Sequence, residues 1–172
     1  MDILMAQLPE ITPKRLIAVM GRGNRPALLQ SDTRNKTMLN AFVAAGAFVA
    51  VTNGIINPEE RRSLADLLRH ERGIDGFDLR EAQARFDLYT DGLFRSRRNL
   101  LTVRRAVRRI GSESDCRLRV LRFSLMVGVA DGEVTRHELA ALRRIGKWLG
   151  LAPVFVELEL VRADVPWVLL GR

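Results

Sequence analysis

The stretch Asp131-Gly132-Glu133-Val134-Thr135-Arg136-His137-Glu138 divides two long runs of helical period. Upstream, Val120, Phe123, Val127 and Ala130 recur three to four residues apart, and downstream Leu139, Leu142, Ile145 and Leu149 do the same. Asp-Gly is a stop signal, because glycine takes the left-handed conformation that closes a helix without strain. Thr135 with Glu138 three residues later is a capping box: the hydroxyl accepts from one orphan amide while the carboxylate reaches back to another. The stretch therefore predicts helix, hinge, helix.

An earlier stretch has the same layout at a fixed offset of 78 residues. Asn53 aligns with Asp131, Gly54 with Gly132, Ile55 with Glu133, Asn57 with Thr135, and Glu60 with Glu138. Asn57 is the predicted cap, Pro58 suits the first helical position, and Glu60 sits where a capping carboxylate belongs. Before the hinges, Gly46 aligns with Ser124 and Ala50 with Gly128. Each long helix thus carries small residues four apart, on one face, so the two backbones are predicted to cross closely there.

The rest of the chain follows the same grammar. Residues 1–33 are broken by Pro9, Pro13, Pro26, Gly21 and Gly23, leaving room for one short helix around Leu16–Met20. A first long helix is predicted from Thr33 to Thr52, and a second after Pro58 with Leu64, Leu67 and Leu68 inward. Asp78-Leu79-Arg80-Glu81 reads as a capping box opening a helix with Ala82, Phe86 and Tyr89, closed near Gly92. Ser96 caps the next, with Leu100, Val103, Val107 and Ile110 inward, and a last helix covers roughly Val154–Arg162. The fold class predicted is all-α: a compact bundle of about seven to eight helices on two related helix–hinge–helix repeats. It divides into an extension (1–33), a helical domain (34–163) and an apolar tail (164–172).

Bulk properties fit one domain. The chain has 172 residues, 47% apolar and 28% charged, which supports a core and a soluble surface. The single cysteine, Cys116, permits no internal disulfide and reads as a plain buried thiol. The longest apolar run, Ala41–Val51, is eleven residues, short of the roughly 20 needed to span a bilayer. The start, Met-Asp-Ile-Leu, lacks the basic lead of a signal peptide, so a cytoplasmic protein is expected. The net charge of +8 comes almost wholly from arginine and suits anionic partners: nucleic acid, acidic lipid or acidic protein.

Two places carry candidate chemistry. At the second hinge, Asp131, Glu133 and Glu138 with the Thr135 hydroxyl are hard oxygen ligands that suit calcium or magnesium. The hinge is not an EF-hand, since Leu142 stands twelfth from Asp131 where a bidentate glutamate is needed. The alternative is that Thr135 and Glu138 only cap a helix, whose N-terminus favours anions over cations. The second place is Arg95–Arg122, with ten arginines against Glu113 and Asp115. Arg97, Arg98, Arg104, Arg105, Arg108 and Arg109 lie away from the apolar stripe of their helix, forming a basic face for an acidic protein, nucleic acid or an anionic membrane surface. The alternative there is a solvated face. No aromatic residues interleave with these arginines, which speaks against stacking on single strands. His70 and His137 lack companion zinc ligands. No nucleophile–base pair or phosphate loop is present, so no catalysis is expected.

The small-apolar helix Phe42–Thr52, Asn53-Gly54 with Asn57-Pro58-Glu59-Glu60, and the run Val127–Thr135 make the chain resemble the tellurite-resistance TerB family over roughly residues 34–150. The resemblance implies a compact all-α fold of two helical-hairpin repeats. It also implies a bacterial cytoplasmic protein of the tellurite or chemical-stress response, non-enzymatic, acting with protein partners in membrane-associated complexes; a homo-oligomer stays open. It further implies divalent metal at the hinge acids: Asp131, Glu133 and Glu138, with Glu60 from the first copy. Asn53 and Ile55 stand where acids belong in the family pattern. Asn53 keeps an amide oxygen and Ile55 has no ligand atom, so a shared site would hold cation weakly.

Overall fold

The computed structural model describes residues 32–54, 56, 58–70, 78–130 and 134–163, with only the backbone of residues 32–34, 53, 59, 60 and 63. Seven α-helices follow one another: α1 Asp32–Ala50, α2 Pro58–His70, α3 Leu79–Arg95, α4 Leu100–Arg108, α5 Ser114–Gly128, α6 Arg136–Trp148 and α7 Pro153–Arg162. No strand occurs among the described residues. Short 3₁₀ turns extend α1 through Val51–Asn53 and lead into α4 through Arg97–Asn99. The extension before residue 32 and the tail after 163 lie outside the described residues.

α1 is the axis. Ala41–Ala45 and Ala47–Ala50 are buried on every side, apart from a sliver of Phe48. α5, α3, α4 and α6 all pack on it. The tightest approach is to α5, at the small residues. A Cβ at Gly46 would lie 3.3–3.4 Å from Leu64, Phe123 and Val127, and one at Gly128 would lie 3.0 Å from Val49. Just above, the rings of Phe42 and Phe123 stack with centroids 4.8 Å apart, a pairing worth about 0.5–1.5 kcal/mol beyond the area it buries. Ser124 satisfies its buried hydroxyl on the Val120 carbonyl at 2.7 Å.

The packing around this crossing is reciprocal, as two copies of one repeat require. α1, before the first hinge, packs on α6, after the second; α5, before the second hinge, packs on α2, after the first. The predicted stripes of Leu64, Leu67 and Leu68 and of Leu139, Leu142, Ile145 and Leu149 are buried; of Leu100, Val103, Val107 and Ile110, the two valines are buried and Leu100 and Ile110 are half-buried against the core.

Two local readings need correction. α3 does not close at Gly92 but runs to Arg95. The Gly92 carbonyl keeps its helical bond from the Ser96 amide at 3.1 Å and gains a second from Asn99 Nδ2 at 2.6 Å, so the helix continues through Gly92 for a further turn. Asp78 caps α3, accepting from the Arg80 amide at 2.8 Å. Glu81, however, does not complete a box; its carboxylate turns to Arg85, 2.6 Å away, because an i,i+4 cation is within reach.

The crossing gives a paired test. Gly46→Leu should lower stability by about 1–3 kcal/mol through overpacking. Gly92→Ala meets only ordinary contacts, 3.5–3.7 Å from Asn99, and should raise stability by up to about 1 kcal/mol from helix propensity. Urea unfolding followed by circular dichroism separates the two.

Candidate functional site

The second hinge is described from Val134 onward. Thr135 and Glu138 form the predicted capping box: the Thr135 amide donates to Glu138 Oε2 at 2.7 Å, and the Glu138 amide donates to Thr135 Oγ1 at 3.2 Å. Glu138 is fully buried. It stands in the first turn of α6, and its Oε2 is engaged in holding the hinge. Asp131, Glu133 and the Glu60 side chain lie outside the described residues. Among the described residues no group of three or more His, Cys, Asp or Glu could hold a metal ion. His137 is exposed, and His70 sits with Nδ1 2.7 Å from the Asp66 carbonyl. Cys116 is buried, its thiol donating to Glu113 at 3.4 Å.

The ten arginines of Arg95–Arg122 divide by helix. Those on α5 serve the fold. Arg119 lies over the Phe42 ring, 5.9 Å from its centroid. Arg117 Nε donates to the Gly111 carbonyl at 3.0 Å. Arg122 grips Glu159 of α7 with two hydrogen bonds of 2.7 and 3.0 Å, and Arg162 adds a third at 2.7 Å. Burial alone would raise the Glu159 pKa, but the hydrogen bond and charge of Arg122, followed by Arg162, hold it below 4.5.

Those of the α4 region lie on the surface. Arg97, Arg98, Arg104, Arg105, Arg108 and Arg109 are all exposed and form no salt bridge among the described residues. Leu101 stands among them 62% exposed. With Arg104, Arg105, Arg108 and Arg109 it lines a shallow hollow of about 360 Å³. A second exposed apolar set, Val154, Phe155, Leu158 and Val161, runs along the outer face of α7.

On the other flank of α4 lies a deeper cleft of about 650 Å³. Arg104 and Arg108 of α4, Arg117 of α5, and Arg144 and Lys147 of α6 surround it, over a wall that includes Trp148. Two left-handed glycines shape its rim, Gly111 at φ 84° and Gly150 at φ 69°. At Gly150 the chain closes α6 with paired bonds, Leu151 amide to Gly146 carbonyl at 3.0 Å and Gly150 amide to Lys147 carbonyl at 3.2 Å, a Schellman arrangement. The sequence reading had Arg104 and Arg108 as members of a basic face but missed the cleft. Arg117, Arg144 and Lys147 come from other helices, and the only local signal was the pair of cations three apart beside Gly150.

A family described as tellurite resistance protein TerB matches residues 39–159. The chain belongs to the TerB family. The TerB region spans both hinges, the α4 arginines and the cleft; of the seven helices it leaves out the first turns of α1 and the last of α7. No curated protein and no solved structure gives a match. Among the described residues of this TerB protein no helix is long and apolar enough to cross a membrane.

The α5–α7 clamp makes a pH prediction. Because the folded pKa of Glu159 is depressed, its contribution is complete above the unfolded value of about 4.5 and fades as pH falls through the folded one. Glu159→Gln should therefore cost about 1–3 kcal/mol at pH 7, and the gap in Tm from the parent should narrow progressively below pH 4.5. Thermal melts from pH 7 to pH 3 check this.

Proposed function

We propose that this TerB-family protein is a non-catalytic binding module of a chemical-stress response, and that its working surface is the arginine face of α4 and the turn before it. The partner is a protein that offers acidic side chains around an apolar one. The observation that carries the reading is Leu101, largely exposed in a hollow lined by four arginines without salt bridges among the described residues. An apolar anchor inside a ring of arginine is the pattern of a protein-binding hot spot: the anchor supplies desolvation and the rim supplies orientation and encounter rate.

Divalent cation at the hinge is not part of this reading. Of the four candidate acids, the one whose side chain is described, Glu138, has its Oε2 on the Thr135 amide, and a cation there would oppose the helix dipole.

A photo-crosslinking residue placed at Leu101 should capture a partner peptide rich in Asp and Glu in living cells. The same residue at Gln83, exposed on α3, should not. Arg98→Glu with Arg105→Glu should abolish the Leu101 crosslink. Equal capture at both positions, or capture that survives the charge reversal, overturns the reading; crosslinks to nucleic acid or lipid would replace the protein partner.

A further inference from the structure

We infer that the cleft between α4, the start of α5 and the end of α6 is a binding site for a soluble ligand carrying two or three linked phosphate groups. Five cations line it (Arg104, Arg108, Arg117, Arg144 and Lys147), and no acidic residue does among the described residues. Arg104, Arg108 and Lys147 are exposed and make no salt bridge among the described residues. The bland account is that cations at helix C-termini answer the helix dipoles. It covers only part of the charge. α4 and α6 both end at the cleft, and each end contributes about half a negative charge, together offsetting about one of the five.

Shape and chemistry narrow the ligand. The volume of about 650 Å³ lies in the roughly 300–1,000 Å³ range of small-molecule clefts and is roomy for a single inorganic anion. Four of the five cations are arginines, whose planar donor forks match phosphate oxygens two at a time. Arg117 is already oriented, its Nε fixed on the Gly111 carbonyl at 3.0 Å and its Nη1 3.4 Å from where a Cβ at Gly150 would sit. A side chain at Gly150 would strain the left-handed backbone there. Arg144 lies over the Trp148 ring, 5.7 Å from its centroid. The cations come from three separate helices and converge on one concavity. A nucleic-acid backbone is tracked instead by cations strung along a surface. The inference uses Arg117, Arg144 and Lys147, which the partner reading does not, and it stands without that reading.

Tripolyphosphate is the probe, titrated into the full chain carrying Trp167→Phe, so that Trp148 is the only tryptophan. At about 0.15 M salt, where long-range attraction is screened beyond roughly 8 Å, its emission should change saturably and Tm should rise. Arg108→Ala with Lys147→Ala should weaken binding at least tenfold. Arg97→Ala with Arg98→Ala removes the same charge outside the cleft and should weaken it less than twofold. Lys147→Arg alone should retain binding, which separates a lost ligand contact from a lost fold. No saturable change below millimolar tripolyphosphate overturns the inference, as does equal weakening by the two double variants. Duplex DNA binding more tightly than tripolyphosphate, with dependence on Arg97 and Arg98, would also overturn it and make the cations part of one extended face.

Discussion

The close crossing of α1 and α5 is the constraint on which the architecture rests. At Gly46 and Gly128 even a Cβ would be a tight fit, with neighbours 3.0–3.4 Å from where it would sit. Interiors packed at this density do not deform gradually, so the two helices are held at one depth and one angle. With α1 sealed by α5 on one side, the remaining helices must form its shell, and their outward faces are all that is left for charge. The hinges follow directly from the crossing helices, which is why Glu138, just after the second hinge, is buried against the core and satisfied by Thr135 rather than open to solvent.

What was legible in the sequence is what local rules control. Small residues four apart predicted the crossing because only hydrogen or methyl permits such an approach. Thr135 and Glu138 predicted their own hydrogen bonds because a capping box closes within four residues. The failures have the same origin. Glu81 had two partners within reach, the cap and Arg85, and chose the guanidinium. Gly92 lost its helix-ending role to Asn99, seven residues on, whose side chain takes the Gly92 carbonyl. The cleft was illegible because Arg104, Arg117 and Arg144 become neighbours only once α4, α5 and α6 are docked, and no periodicity within one helix encodes that.

The arginines sort themselves by whether an acid or an aromatic ring lies opposite. On α5 they meet Glu159 and Phe42 and become struts. Such a strut is costly to break yet contributes modestly, because desolvation of both ions offsets most of their attraction. Residues 97–109, by contrast, contain six arginines and no Asp or Glu. Within α4 no acid stands at i±3 or i±4, Glu113 falling beyond the helix end, and Arg104 with Arg108, and Arg105 with Arg109, repel each other along the helix at a few tenths of a kcal/mol per pair.

That repulsion is small, but no salt bridge among the described residues offsets it. The chain holds 20 acidic residues, and Glu81, Asp66 and Glu157 show that this surface readily supplies exposed partners where only stability is at stake. Replacing any one of the α4 arginines with glutamate would turn a repulsive pair into an attractive one at no cost to the buried stripe of Val103, Ala106 and Val107. The helix leaves this correction unmade along its solvent side, where Arg104 and Arg108 stand between the Leu101 hollow and the Trp148 cleft and line both, and it is this uncompensated charge that the proposed partner surface and the proposed phosphate site both draw on.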